Sequence, residues 1–345
     1  MYATQIVLTL GYFLTTTLSY PDHNTPKWTS LAPIPIPRQE HTTLYLAPST
    51  IVVLGGIIPT HDNSTIPVRT TSLMQSYSIP NNTWTAAPAF PRAMNHINAA
   101  VVKGELYVLG GLADHETPPA WRSASDSFVY STHTQKWSGI PGLRTGEARG
   151  SAAVGVYKDQ MILAGGMTDL ELFENGTQAS VAVVSIFDTT LKRWLDLPRR
   201  AKYMPEGRDH AGAAVVDGKM YVLGGRNQGQ ENVKDTVFVL DLCDLKSGWK
   251  VRRARMPTPR GGVAAGTVGT KVYLFGGEGD KSTESGVFDQ VEVYDTVKDK
   301  WESVGKMRIP RHGAYAVGVG NRVYVPGGGV MQSGKPVADF DVFET

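Results

Sequence analysis

The chain has one cysteine, Cys243, in 345 residues, which excludes an intrachain disulfide framework and any metal site built from several thiolates. Charge of either sign is not in excess, since 34 Lys and Arg against 32 Asp and Glu leave a net charge of +2. A nucleic-acid binder that works by neutralising phosphates needs a basic surplus, so no nucleic-acid partner is expected. No apolar run approaches the ~20 residues of a membrane-spanning helix. There is no phosphate-binding G-x-x-x-x-G-K-S/T loop and no G-x-S-x-G nucleophile elbow. Amphipathic segments of helix length are missing as well. Glycine is plentiful instead, 37 residues with 21 prolines, and the 41% hydrophobic content suffices for a large core.

The apolar stretch Ile6 to Leu10, then Tyr12 to Leu14, ends near Thr17 and Ser19, small residues two apart as a signal peptidase prefers. Residues 1–19 are therefore expected to be a signal peptide and 20–345 the mature, secreted domain. An ordinary N-terminal strand is the competing reading, because the segment before the apolar run carries no Lys or Arg. Sequons at Asn63, Asn81 and Asn175 agree with export and are expected to be glycosylated.

Gly-Gly pairs recur at 55–56, 110–111, 165–166, 224–225, 276–277 and 327–328, each after a short apolar run such as Ile51-Val52-Val53-Leu54. A tryptophan follows each of the first five pairs: Trp84, Trp137, Trp194, Trp249 and Trp301. A second strand-like run precedes most tryptophans, and a Pro/Gly-rich connection, an arginine and a run of small apolar residues come after them. The pattern is four strands per ~50 residues, the signature of a β-propeller blade. Trp28-Thr29-Ser30 looks like an outermost strand without the rest of its blade, and Phe340-Asp341-Val342-Phe343 like a third strand without its tryptophan. The N-terminal strand is thus expected to complete the last of six blades, which removes two bare sheet edges.

The double glycine, the Tyr/Phe-Asp of the third strand and the Trp of the fourth resemble kelch repeats across 28–345. The resemblance implies an all-β, six-bladed propeller of the galactose oxidase/kelch type. With signal peptide and sequons, the chain looks most like secreted fungal kelch proteins, some of them encoded in natural-product clusters such as that for terrein. A copper radical oxidase does not fit, since Cys243 falls in a turn away from the channel. The Glu-x-x-x-Asp-x-x-x-His iron pattern of plant nitrile-specifier kelch proteins is missing. A six-bladed sialic acid mutarotase needs only Arg and acidic residues at the rim and remains open.

Arginines stand near the start of the innermost strand in every repeat: Arg38, Arg92, Arg149, Arg208, Arg260 and Arg311. Fourteen residues before the first glycine come His41, His96, Ser151, His210, Gly262 and Gly313, with His312 beside the last. A ring of guanidinium and imidazole groups at one channel mouth can hold a carboxylate, an enolate or a polyol. Arg92, His96, Arg208 and His210 are the foremost catalytic candidates, because two repeats pair Arg with His at similar offsets. Glu147 and Glu206 are candidate general acids or bases. The alternative for all of these is structural: carbonyl partners for Arg and His, ion pairs for the glutamates. Asp114-His115-Glu116 invites a metal, yet three adjacent loop side chains seldom converge on one ion, so neither metal nor cofactor is expected. Two functions stay open for a monomer with a small-molecule or glycan ligand. One is a cofactor-free enzyme or accessory protein for a small polyoxygenated metabolite. The other is a secreted module that binds glycan or protein without turnover.

Overall fold

The computed structural model describes residues 28–60, 68–173 and 176–345. The expected signal peptide (1–19), Asn63 and Asn175 lie outside the described residues, while Asn81 sits in an exposed turn between Met74–Ser78 and Thr83–Ala87. The structure is nearly all β. Among the described residues, five antiparallel sheets have the expected four strands and a sixth has six, its extra pair being Met167–Glu171 and Gln178–Ser180; the innermost strands Thr42–Leu46, Ala99–Val102, Ala153–Tyr157, Gly212–Val216, Ala264–Val268 and Val317–Val319 neighbour one another around a central channel. Small residues on these strands permit that crowding, and the second strand of each sheet is buried on both faces.

Trp28–Ser30 pairs antiparallel with Phe340–Glu344, in register Trp28↔Phe343. The last sheet is thereby assembled from both chain ends. Each tryptophan faces its third-strand partner directly: Tyr77↔Trp84, Tyr130↔Trp137, Phe187↔Trp194, Leu240↔Trp249 and Tyr294↔Trp301. Aromatic pairs of this kind add about 0.5–1.5 kcal/mol beyond area burial. Five of the indoles also reach back to the preceding sheet: Trp84 Nε1 donates to Ala32 O at 2.8 Å, and Trp28 Nε1 to Lys306 O at 2.9 Å. The core accordingly lies between sheets. One cluster joins Ile51 and Tyr77 of the first sheet to Tyr324, Phe340 and Val342 of the last.

The Gly-Gly pairs end the second strands because the backbone turns where a side chain has no room. Gly55 and Gly56 have φ of 61° and 91°, and a Cβ on Gly56 would press to 2.6 Å from the Gln39 carbonyl oxygen. The second sheet departs from this plan. Its strand Glu105–His115 runs through Gly110-Gly111 and pairs with Ala120–Ser131, forming a hairpin arm that carries Trp121 over the channel mouth.

Candidate functional site at the channel mouth

The second glycine of a pair donates its N–H across to the next sheet: Gly166 to Arg208 O, Gly225 to Arg260 O, Gly277 to Arg311 O and Gly328 to Arg38 O. In the second sheet the acceptor is Met94 O, from Gly56. Met94, not Arg92, is therefore the counterpart of the other arginines. Arg92 is about half exposed and pairs with Asp126, so it does not join the foremost candidates at the mouth.

Arg38, Arg149, Arg208, Arg260 and Arg311 are buried to 1% exposure or less, and their guanidinium groups face the protein rather than the cavity. Arg149 is representative: Nε donates to Gly165 O at 2.6 Å, Nη1 to Glu147 O, and Nη2 to Leu163 O and the Ser185 hydroxyl. Arg260 and Arg311 add ion pairs to Glu292 and Asp341. The guanidinium fork satisfies carbonyls stranded where the Gly-Gly turn ends a strand. Glu147 pairs with Lys202, and Glu206 with Arg208 and Lys234, so neither carboxylate reaches the cavity.

A second ring does face the mouth. Two residues after each arginine position stand Glu40, His96, Ser151, His210, Gly262 and Gly313, all with φ between 50° and 66°. They form a closed circuit of hydrogen bonds. His96 N donates to Glu40 O, Ser151 N to His96 O, His210 N to the Ser151 hydroxyl, Gly262 N to His210 O, Gly313 N to Gly262 O, and Glu40 N to Gly313 O. Glycine adopts this conformation freely, whereas a side chain costs roughly 1–3 kcal/mol there. Four of the six positions carry side chains regardless. Gly313 makes room, since a Cβ there would overlap the Glu40 carboxylate.

The sequence count placed His41 in this ring, but the turn between the first two strands of the first sheet is one residue longer than in the other sheets, and Glu40 takes the position. His41 is wholly buried behind it, and burial, then the nearby Arg38 and Arg311, lower its pKa to about 3. From the ring, His96 Nε2 lies 3.0 Å from His210 Nε2 and 3.1 Å from Glu40 Oε2, and His210 Nε2 lies 3.7 Å from that oxygen. These three groups have the spacing of metal ligands. They come from three different sheets, unlike the Asp114-His115-Glu116 triplet.

Of the groups around them, sequence reasoning named His312 but missed Arg226 and Glu278. Arg226 and Glu278 each directly follow a Gly-Gly pair, where the first three sheets have Ile57, Leu112 and Met167. That switch from apolar to charged was the available signal. Arg226 is held between Asp209 (Nε to Oδ1, 3.1 Å) and Glu278, and its Nη2 lies 3.2 Å from His210 Nε2. Its two carboxylates raise its pKa against the opposing effect of burial. Glu278 is lowered to about 2, against its burial, by His312, Arg226 and His210. His312 points its Nδ1 at Glu278 Oε2, 3.4 Å away, and its Nε2 at Met331 O. Burial, then the nearby His210, Arg226 and His312, holds His96 well below the ordinary imidazole pKa, which keeps it neutral.

Above this floor opens a cavity of about 670 Å³ with Trp121, Leu170, Leu172 and Phe173 on its walls. The Trp121 ring packs on His96 at 5.4 Å between centroids. The channel interior beyond the ring holds a second space of about 290 Å³, lined mainly by Ala, Val and Thr with no charged side chain.

The kelch-repeats domain described for KLHDC2, KLHL20 and DRC7 matches residues 11–225 and 97–328. The kelch-like protein terF of Aspergillus terreus is 37% identical over 322 residues, covering 90% of this chain and 67% of that protein. Kelch domain-containing protein 3 of Bos taurus is 26% identical over 257 residues, covering 69% of this chain, which spans 64% of the bovine protein. Among solved structures, that of YjhT superposes with a TM-score of 0.71 at 16% identity, over 90% of this chain and 95% of that one.

Proposed function

The chain belongs to the kelch-repeat family, and from that premise we propose that its channel mouth binds and transforms a small polyoxygenated metabolite in a fungal secondary-metabolite pathway. The observation that carries this reading is the cavity with an apolar wall and a buried, charged floor. Its volume is within the ~300–1,000 Å³ of small-molecule sites. A neutral imidazole beside a carboxylate can move protons on hydroxyl or enol groups, and Arg226 can hold an anionic oxygen. Trp121 offers a flat surface to a ring. The relationship to terF supports the pathway assignment, and export through residues 1–19 with glycosylation at Asn81 belongs to the same proposal.

A module that only grips glycan or protein through its loops has no use for four strained ring positions and buried histidines beneath the cavity. Replacing His210 by Gln in the native host tests the proposal. We expect a pathway compound to accumulate while the protein is still produced in folded form. An unchanged metabolite profile with folded variant present would refute it.

A further inference from the structure

We propose that Glu40, His96 and His210 form a site for one divalent transition-metal ion of the zinc class. This goes beyond the function proposed above, because ion binding is measured without any substrate, and either claim can fail alone.

The hydrogen bonds fix where the lone pairs point. The Thr70 hydroxyl spends its proton on the Asp114 carboxylate, so toward Asn95 it can only accept, and it takes the Asn95 Nδ2 hydrogen at 2.7 Å. Asn95 must therefore turn its Oδ1 to His96 Nδ1, which carries the ring proton. His210 Nδ1 likewise donates to Asp209 Oδ1 at 2.6 Å, and Asp209 has no proton to give. Both Nε2 atoms are left with bare lone pairs facing each other at 3.0 Å, beside the Glu40 Oε2, which is buried and has no hydrogen-bond partner. Only His210 Nε2 has a hydrogen-bond donor against it, Arg226 Nη2 at 3.2 Å, and three electron-pair donors converging on one buried point are unfavourable without a cation between them. A carboxylate or amide behind each histidine is the outer-shell arrangement that orients ligating imidazoles.

Distances and charge agree. With sides of 3.0, 3.1 and 3.7 Å, the donor triangle places each corner roughly 1.9 Å from its centre. An ion slightly off that plane, toward the cavity, meets all three at the about 2.0–2.2 Å of zinc–nitrogen and zinc–oxygen bonds and keeps a side open to a ligand. Three carboxylates, Glu40, Asp209 and Glu278, gather here around the one guanidinium of Arg226, an acidic setting that favours a divalent cation. Arg226 Nη2 donates to His210 Nε2 in the absence of the ion, and uptake requires it to give up that one contact while keeping both its carboxylates. Two imidazoles with one carboxylate suit zinc, iron(II) or cobalt(II) rather than magnesium or calcium.

The test is calorimetric titration of the purified, chelator-treated full chain with Zn²⁺ alone, and with Co²⁺ followed by visible absorption. We expect one saturable equivalent per chain, a rise in melting temperature with Zn²⁺, and strong Co²⁺ d–d bands of a four- or five-coordinate ion. Glu40→Gln and His210→Gln should weaken binding at least 100-fold, and Asp209→Asn about 10–100-fold, as outer-shell changes do. His115→Ala, a change at the exposed end of the hairpin arm, should leave it unaltered. Zinc-edge X-ray absorption on the wild-type protein needs no variant and should show two imidazoles. No stoichiometric binding, fewer than two imidazoles, or binding undiminished in folded Glu40→Gln would overturn the site and leave a proton shared between the histidines in its place.

Discussion

His96 meets Glu40 twice: its backbone N–H donates to the Glu40 carbonyl at 2.9 Å, and its Nε2 lies 3.1 Å from the Glu40 carboxylate. The first contact belongs to the circuit that closes the channel, and the second to the floor of the cavity. One left-handed backbone position thus serves both architecture and chemistry, and neighbouring sheets bring their side chains to a common point.

Acid should weaken the fold through His41. Its pKa is near 6.5 unfolded and about 3 folded, so the unfolded chain binds the extra proton and stability falls as pH drops below 6.5. Between pH 7.5 and 5.0 this one group removes about 2 kcal/mol. Denaturant melts of His41→Leu should show that much less dependence over the same interval. An identical dependence in both proteins would show that His41 is not held neutral.

Arg149→Ala removes the guanidinium donor from four carbonyls, those of Glu147, Leu163, Gly165 and Val183, and from the Ser185 hydroxyl, and should cost about 3–5 kcal/mol. Urea unfolding measures it. A cost below 1 kcal/mol would contradict the structural role of the arginine ring.

Arg92→Ala should do almost nothing. Its ion pair with Asp126 is exposed on both sides, and such pairs contribute about 0–1 kcal/mol. A loss of cavity function in this variant, measured by the metabolite profile of the host, would reinstate it as a site residue.

The repeat pattern made the fold legible because each sheet repeats one plan: Gly-Gly where the backbone turns, Trp where sheets stack. Even the docking of the N-terminal strand on the last sheet was suggested by a tryptophan out of place, although its register, Trp28 opposite Phe343, was not. The site was half legible. His96 and His210 were found by their offset from Gly-Gly, but counting back from the glycines missed Glu40, because a one-residue difference in loop length shifts the frame and substitutes His41. The arginines misled in the other direction. Their periodicity reflects a carbonyl-satisfying role common to the sheets, whereas a site needs the positions where the sheets differ, such as Arg226 and Glu278.

Trp28→Ala tests the closure of the last sheet. The indole packs on Phe275 and Phe343 at 5.5 and 4.9 Å and donates to Lys306, so its removal should cost about 2–4 kcal/mol. Removing the whole strand Trp28–Ser30 should bare the edge of Phe340–Glu344 and lead to aggregation, followed by light scattering. A strandless variant that stays monomeric with an unchanged melting temperature would contradict the pairing.

The proposal that function resides in the cavity floor rather than in the arginine ring is tested most directly by incubating purified protein with an extract of the native host lacking this gene. Chromatography with mass detection should show wild-type protein consuming one polyoxygenated compound and forming a product. Folded His96→Gln and Glu40→Gln should leave that compound untouched, and Arg92→Ala should consume it at the wild-type rate. Conversion at full rate by the floor variants, or no compound consumed by the wild type, would contradict the account.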